Sequence, residues 1–96
     1  MRKYEVMLIL PADADDAVVQ GAVDRISQVL AGRSGTLGEI DRWGKRRLAY
    51  EISRQTEGYY LVVNFEAEPA SVVELERVLK LADEVVRHKV VMREAA

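Results

Sequence analysis

The sequence predicts an α+β architecture in the order strand, helix, strand, strand, helix, strand, with both helices on one face of a four-stranded antiparallel sheet. Three observations predict it. Two segments carry apolar residues at three- and four-residue spacing, four others are rich in β-branched and aromatic residues, and the connections between them are short. The 96 residues, 49% of them apolar, suffice for one two-layer core and not for two, so residues 1–96 are expected to form a single domain.

The first strand is "YEVMLILP", at about residues 3 to 10, closed by Pro11. Asp13 or Asp16 then caps a helix whose Val18, Val19, Ala22, Val23, Ile26, Val29 and Leu30 form one stripe, ending near Gly32. Gly21 sits inside that helix at a cost of about 1 kcal/mol relative to alanine, a cost that close packing on the sheet would explain. The glycines in "GRSGTLGEI" follow a helix rather than a strand and have no Gly-Lys-Ser/Thr ending, so they read as a connection and not as a phosphate loop. A long strand covers about residues 37 to 54, with a bulge at Trp43-Gly44. "QTEGYY" reads as a hairpin turn with Gly58 in a left-handed conformation, and "YYLVVNFEAE" as a central strand stopped by Pro69. Ser71 with Glu74 forms a capping-box signature for a second helix that turns Leu75, Val78, Leu79 and Ala82 inward. "VVRHKVVM", residues 85 to 92, is the last strand. Right-handed crossovers place both helices on one side, which makes this the ferredoxin-like β-α-β-β-α-β fold. Enzymes, metabolite sensors and RNA binders share it, so the fold assigns no function.

Alternation along strands divides the sheet into an inner and an outer face. Leu48, Tyr50 and Ile52 are expected inward, with Leu61, Val63, Phe65, Val6, Leu8 and Val90. The outer face then carries Arg47 and Glu51 together with Met7, Ile9, Ala49, Tyr60, Val62 and Val91. With no helix over it, the apolar part of this face reads as a protein interface.

Composition narrows the function. Cysteine is absent, which removes disulfides, thiolate metal sites and thiol nucleophiles, and no apolar run approaches the ~20 residues of a membrane span. A cytoplasmic location is expected, with no membrane or small-molecule partner and no cofactor. The one histidine, His88, stands between Arg87 and Lys89 with no carboxylate near it in sequence, and Asp13, Asp15 and Asp16 crowd a helix start, so neither catalytic nor metal-ligand spacing is present. "EGYYLVVNF" echoes the central strand of an RNA-recognition motif, but Glu57 replaces its basic residue, Tyr60 its small residue and Leu61 its second aromatic. Base-by-base reading of a single strand is therefore not expected.

The net charge of −2 gives no global attraction for a polyanion, so any nucleic-acid role must rest on a local patch. Such a patch exists. Between Arg42 and Arg54 five basic residues face one acid, and Lys45, Arg46, Arg47 and Arg54 are candidate RNA contacts. The terminal strands add Arg2, Lys3, Arg87, Lys89 and Arg93. Arginine predominates, and its planar fork matches phosphate oxygens.

The segment "WGKRRLAYEIS", with Gly44, Lys45, Arg46, Arg47, Leu48, Ala49, Tyr50 and Ile52, resembles the signature of the bacterial small-subunit (30S) ribosomal protein number six family. "MRKYEVMLIL", "GYYLVV" and "LKLADEVVRHKVV" also fall where that family has counterparts. Two departures stand out: the chain stops at Ala96, where many members carry a longer tail, and Glu51 follows Tyr50 where some members have proline. The resemblance implies a structural, non-catalytic component of the bacterial small ribosomal subunit. It also implies binding to the central domain of 16S ribosomal RNA as a heterodimer with small-subunit ribosomal protein number eighteen. A second reading is a ferredoxin-like regulatory domain that dimerises through its sheet and binds a small metabolite. Against it, "PADADD" stands where such sensors usually carry a glycine-bearing loop.

Overall fold

The computed structural model of the chain describes residues 1–52 and 55–93, with side chains described outside residues 49–55. Its elements are β1 (Arg2–Pro11), α1 (Asp16–Ala31), β2 (Thr36–Ile52), β3 (Gln55–Ala67), α2 (Pro69–Leu81) and β4 (Arg87–Met92). The strands form one antiparallel sheet in the order β2-β3-β1-β4. Both helices contribute to the core on one of its faces, as the ferredoxin-like fold requires.

The central strands carry the core. Tyr4, Val6, Leu8 and Leu10 of β1 alternate onto the helix side, where β3 supplies Leu61, Val63, Phe65 and Ala67. From α1 come Val19, Ala22, Val23, Ile26 and Leu30, and from α2 Leu75 and Leu79. Leu8, Leu10, Leu61, Leu75, Leu79 and Ile26 are fully buried, and each such burial contributes about 1.5–3 kcal/mol before entropy is counted. Val90 of β4 packs against this cluster from the edge.

The helix starts differ from their expected positions. Asp15, rather than Asp13 or Asp16, caps α1: its carboxylate accepts the Val18 N–H at 3.0 Å, and Asp16 instead pairs with Arg42. In α2 the proline both ends the approach from β3 and opens the helix. Its fixed φ and missing N–H suit the first helical position, so the helix begins at Pro69 without a side-chain cap. Ser71 is consequently buried inside the first turn, and Glu74 accepts two hydrogen bonds from Arg77 in place of a capping box. β4 starts at Arg87, two residues later than expected, because Val85 packs on the core and the Val86 N–H donates to the Ile9 carbonyl at 2.8 Å. Gly21 makes no close approach, since a Cβ there would meet nothing within 4 Å.

The bulge in β2 governs everything beyond it. Arg42 lies opposite Leu61 and Gly44 opposite Tyr60, so β2 uses two steps where β3 uses one, and Trp43 is the extra residue. Gly44 has φ 79°, a left-handed conformation that glycine adopts without a Cβ penalty. The insertion reverses the alternation expected from the sequence. Arg46, not Arg47, faces away from the helices, opposite Gly58; Arg47 lies opposite Glu57 on the helix side. Leu48 is buried, as expected, but on the open face, close to Gly58 and Ile9. The expected positions of the Tyr50, Ile52, Ala49 and Glu51 side chains lie outside those described.

Gly58 does not make the turn. It lies within β3, between Pro11 of β1 and Arg46 of β2, and among the described glycines only Gly44 has a positive φ. Its reason is close approach: a Cβ at this position would stand 2.6 Å from Ile9 Cγ2 and 3.4 Å from Leu48 Cδ2.

Candidate functional site

Strand register lays out the open face row by row. Tyr60 of β3 lies beside Ile9 of β1 and Gly44 of β2, with Arg87 of β4 beyond Ile9. The next row toward the start of β1 places Asp41, Val62, Met7 and Lys89 side by side. Asn64, Glu5 and Val91 form the third, and Glu66 and Lys3 the fourth. Past Tyr60, the β2–β3 hairpin extends the face with Gly58, Arg46 and Leu48.

Of the expected cations, the fold gathers Lys3, Arg46, Arg87, Lys89 and Arg93 at the rim of this face. Arg46 is exposed at the hairpin end; its Nη1 donates to the Lys45 carbonyl at 3.3 Å, and no acidic side chain pairs with it among the described residues. At the opposite end Arg93 donates to Asn64 Oδ1 at 2.9 Å and pairs with Glu5 at 3.2 Å, so part of its charge is already neutralised. Three expected members of the patch lie on the helix side instead. Arg2 is opposite Ala67 with its guanidinium on Met92 Sδ, Lys45 is within 4.0 Å of Glu57, and Arg47 is opposite Glu57. Alternation along β2 puts Arg46 on one face and Lys45 and Arg47 on the other, so a run of three cations does not make one surface, and the bulge decides that Arg46 is the one on the open face. Arg54 lies outside the described residues.

The apolar centre is also rearranged. Ile9 and Val62 lack helix cover, yet they are only 9% and 5% exposed because neighbouring strands' side chains close over them. The accessible apolar surface belongs to Val91, at 45% exposure, to half-buried Met7 and Tyr60, and to Trp43, at 42%. Trp43 was not among the expected interface residues. Its ring stacks on Tyr60 with centroids 6.2 Å apart and planes 7° from parallel, and its Nε1–H donates to Asp41 Oδ2 at 3.1 Å. The sequence signal that could have found it is the Trp-Gly pair itself, since a bulge with its glycine second pushes the first residue's side chain out of the alternating pattern.

Elsewhere the ionisable groups are structural. Arg25 on α1 holds Glu84, after α2, through hydrogen bonds, and the same bond lowers the Glu84 carboxyl below its ordinary range. His88 is half-buried on the helix side of β4, opposite Leu8. Among the described residues no three His, Asp or Glu side chains gather where a metal could bind, and no helix is long and apolar enough to cross a membrane.

A small ribosomal subunit protein, bS6, of Symbiobacterium thermophilum is 48% identical over 91 residues, covering 95% of this chain and 96% of that protein. The crystal structure of 30S ribosomal protein S6 from Thermotoga maritima superposes with a TM-score of 0.84 at 29% identity, covering 96% of this chain and 87% of that one. The C-terminal domain of the MgtC protein from Mycobacterium tuberculosis superposes with a TM-score of 0.67 at 18% identity over 98% of this chain and 89% of that one, a likeness of fold alone. A ferredoxin-like sheet with relatives of this kind defines a ribosomal protein of the small subunit, a structural component rather than an enzyme. The family model described as Ribosomal protein S6 matches residues 3–92, and the chain belongs to that family.

Proposed function

We propose that this chain binds the central domain of 16S ribosomal RNA jointly with small-subunit ribosomal protein number eighteen, and that the open sheet face serves both contacts. The observation that supports this reading most is the combination on one bare face of an accessible apolar strip and a cationic rim. Lys3, Arg46, Arg87, Lys89 and Arg93 take phosphates on that face. Because β2 alternates, RNA crossing the hairpin meets Arg46 on one side and Lys45 and Arg47 on the other. The partner covers Met7, Tyr60 and Val91, with Ile9 and Val62 beneath them.

The charge balance explains why two proteins are needed. Phosphate affinity scales with the number of neutralised charges and falls steeply with salt, and in this chain 16 Asp and Glu outnumber the 14 Lys and Arg. A basic partner adds its own along the same surface.

The test is a titration of central-domain RNA with this chain, with the partner, and with both. Tight binding requires both. Val91→Asp, at an exposed edge position, abolishes heterodimer formation and leaves the fold intact. Val62→Asp is the poorer probe, because a carboxylate at a site only 5% exposed destabilises the sheet itself. Full RNA affinity from this chain alone, or an unimpaired Val91→Asp heterodimer, would contradict the proposal.

A further inference from the structure

Trp43 is not packed as a core residue is. It stands on the open face because the bulge inserts it there, and it keeps 42% of its surface accessible beside the near-parallel, offset ring of Tyr60. Its orientation is fixed twice, by the near-parallel Tyr60 ring and by the hydrogen bond to Asp41. A ring held in this way loses little freedom when something stacks on its second side. Gly44 adds no side chain beside it, and Arg46, two residues further on, carries a charge unpaired among the described residues.

From this arrangement we infer that the free side of the Trp43 indole is a stacking platform for one unpaired nucleobase, with Arg46 receiving the adjoining phosphate. The inference deepens the proposed RNA contact and rests on it. A π face that shares the open side of the sheet with a guanidinium unpaired among the described residues fits a nucleotide, which offers a base to the first and an anion to the second. An arginine from a protein partner fits less well: Arg46 repels it, and one oxygen of Asp41 is already engaged by the indole. Because Trp43 and Tyr60 stack on each other, they offer one platform rather than two, so the site holds a single base and does not read a run of them.

Two measurements test this, and they separate its failure from that of the RNA-binding reading. The chain has a single tryptophan, so its fluorescence and its indole N–H resonance report on this site alone. Adenosine 5′-monophosphate is expected to quench the emission and shift the indole resonance, and ribose 5-phosphate, with the same charge and no base, to do neither. Equal effects from the two, or none from either, would overturn the inference whatever the fate of the ribosomal RNA contact. In the second arm Trp43→Leu weakens binding of central-domain RNA to the heterodimer about 5- to 150-fold, the worth of one stacked base, while the affinity for the partner alone is unchanged. Unchanged RNA affinity, or a matching loss of partner affinity in the absence of RNA, would assign the ring to other work and overturn the inference. Failure of the wild-type heterodimer to bind this RNA would instead sink the parent reading, and the inference with it.

Discussion

Gly58→Ala provides a sharp test of how the open face is built. The added methyl comes within 2.6 Å of Ile9 Cγ2, well inside contact distance, and within 3.4 Å of Leu48 Cδ2 and the Leu10 carbonyl oxygen. Ile9 is β-branched and 9% exposed, so its side chain has little freedom to move aside. Overpacking of this kind costs about 1–3 kcal/mol. Against it stands the entropy that alanine removes from the unfolded chain, about 0.4–1 kcal/mol. The net expectation is destabilisation by up to about 2.6 kcal/mol, measured by urea unfolding followed by far-ultraviolet circular dichroism. The cause is isolated by repeating the substitution on an Ile9→Ala background, where the clashing Cγ2 is gone. There Gly58→Ala is expected to be neutral or stabilising, giving a coupling energy of at least about 0.5 kcal/mol. A substitution that stabilises the wild-type chain, or costs the same on both backgrounds, refutes the close-approach explanation.

Other expectations follow from the same geometry. Gly21→Ala should stabilise the chain by about 0.5–1 kcal/mol in the same unfolding assay, because the new methyl meets nothing within 4 Å and alanine is the better helix former. Arg46→Ala should make the salt dependence of RNA binding shallower by about 0.7–0.9 in log–log slope, while Arg47→Ala, on the helix side, changes the slope less; both leave stability within about 0.5 kcal/mol. Glu84 is depressed in the folded chain by its bond to Arg25, so its stabilisation is present above the ordinary value of 4.5 and is lost as pH falls below it. Glu84→Gln should therefore flatten the acid limb of a stability–pH profile and leave its slope near neutrality unchanged.

Much of this was legible from sequence for identifiable reasons. β1 and β3 alternate without interruption, so their inner and outer residues follow from period two alone, and the α1 stripe follows from period 3.6. β2 was legible only as far as its bulge. Trp43-Gly44 marks where a residue is added, but an alternation carried through that point puts Arg47 outward and Leu48 inward, the reverse of what the strand does. Glycine chemistry was similarly ambiguous. A positive φ and a close approach select the same residue, and only the neighbouring strand shows that Gly44 answers to the first and Gly58 to the second. The start of α2 reflects competition between two signals, with the proline prevailing over Ser71 and Glu74.

The proposed working surface of this protein is its bare sheet face. It is tested most directly by following the backbone amides of the isotopically labelled chain while the basic partner, and then central-domain RNA, are added. Met7, Val62 and Val91 are expected to shift on partner addition and Arg46 and Arg87 on RNA addition, with Val73, Lys80 and Leu81 on the outer side of α2 unchanged throughout. Shifts confined to α1 and α2, with the sheet amides unmoved, would contradict it.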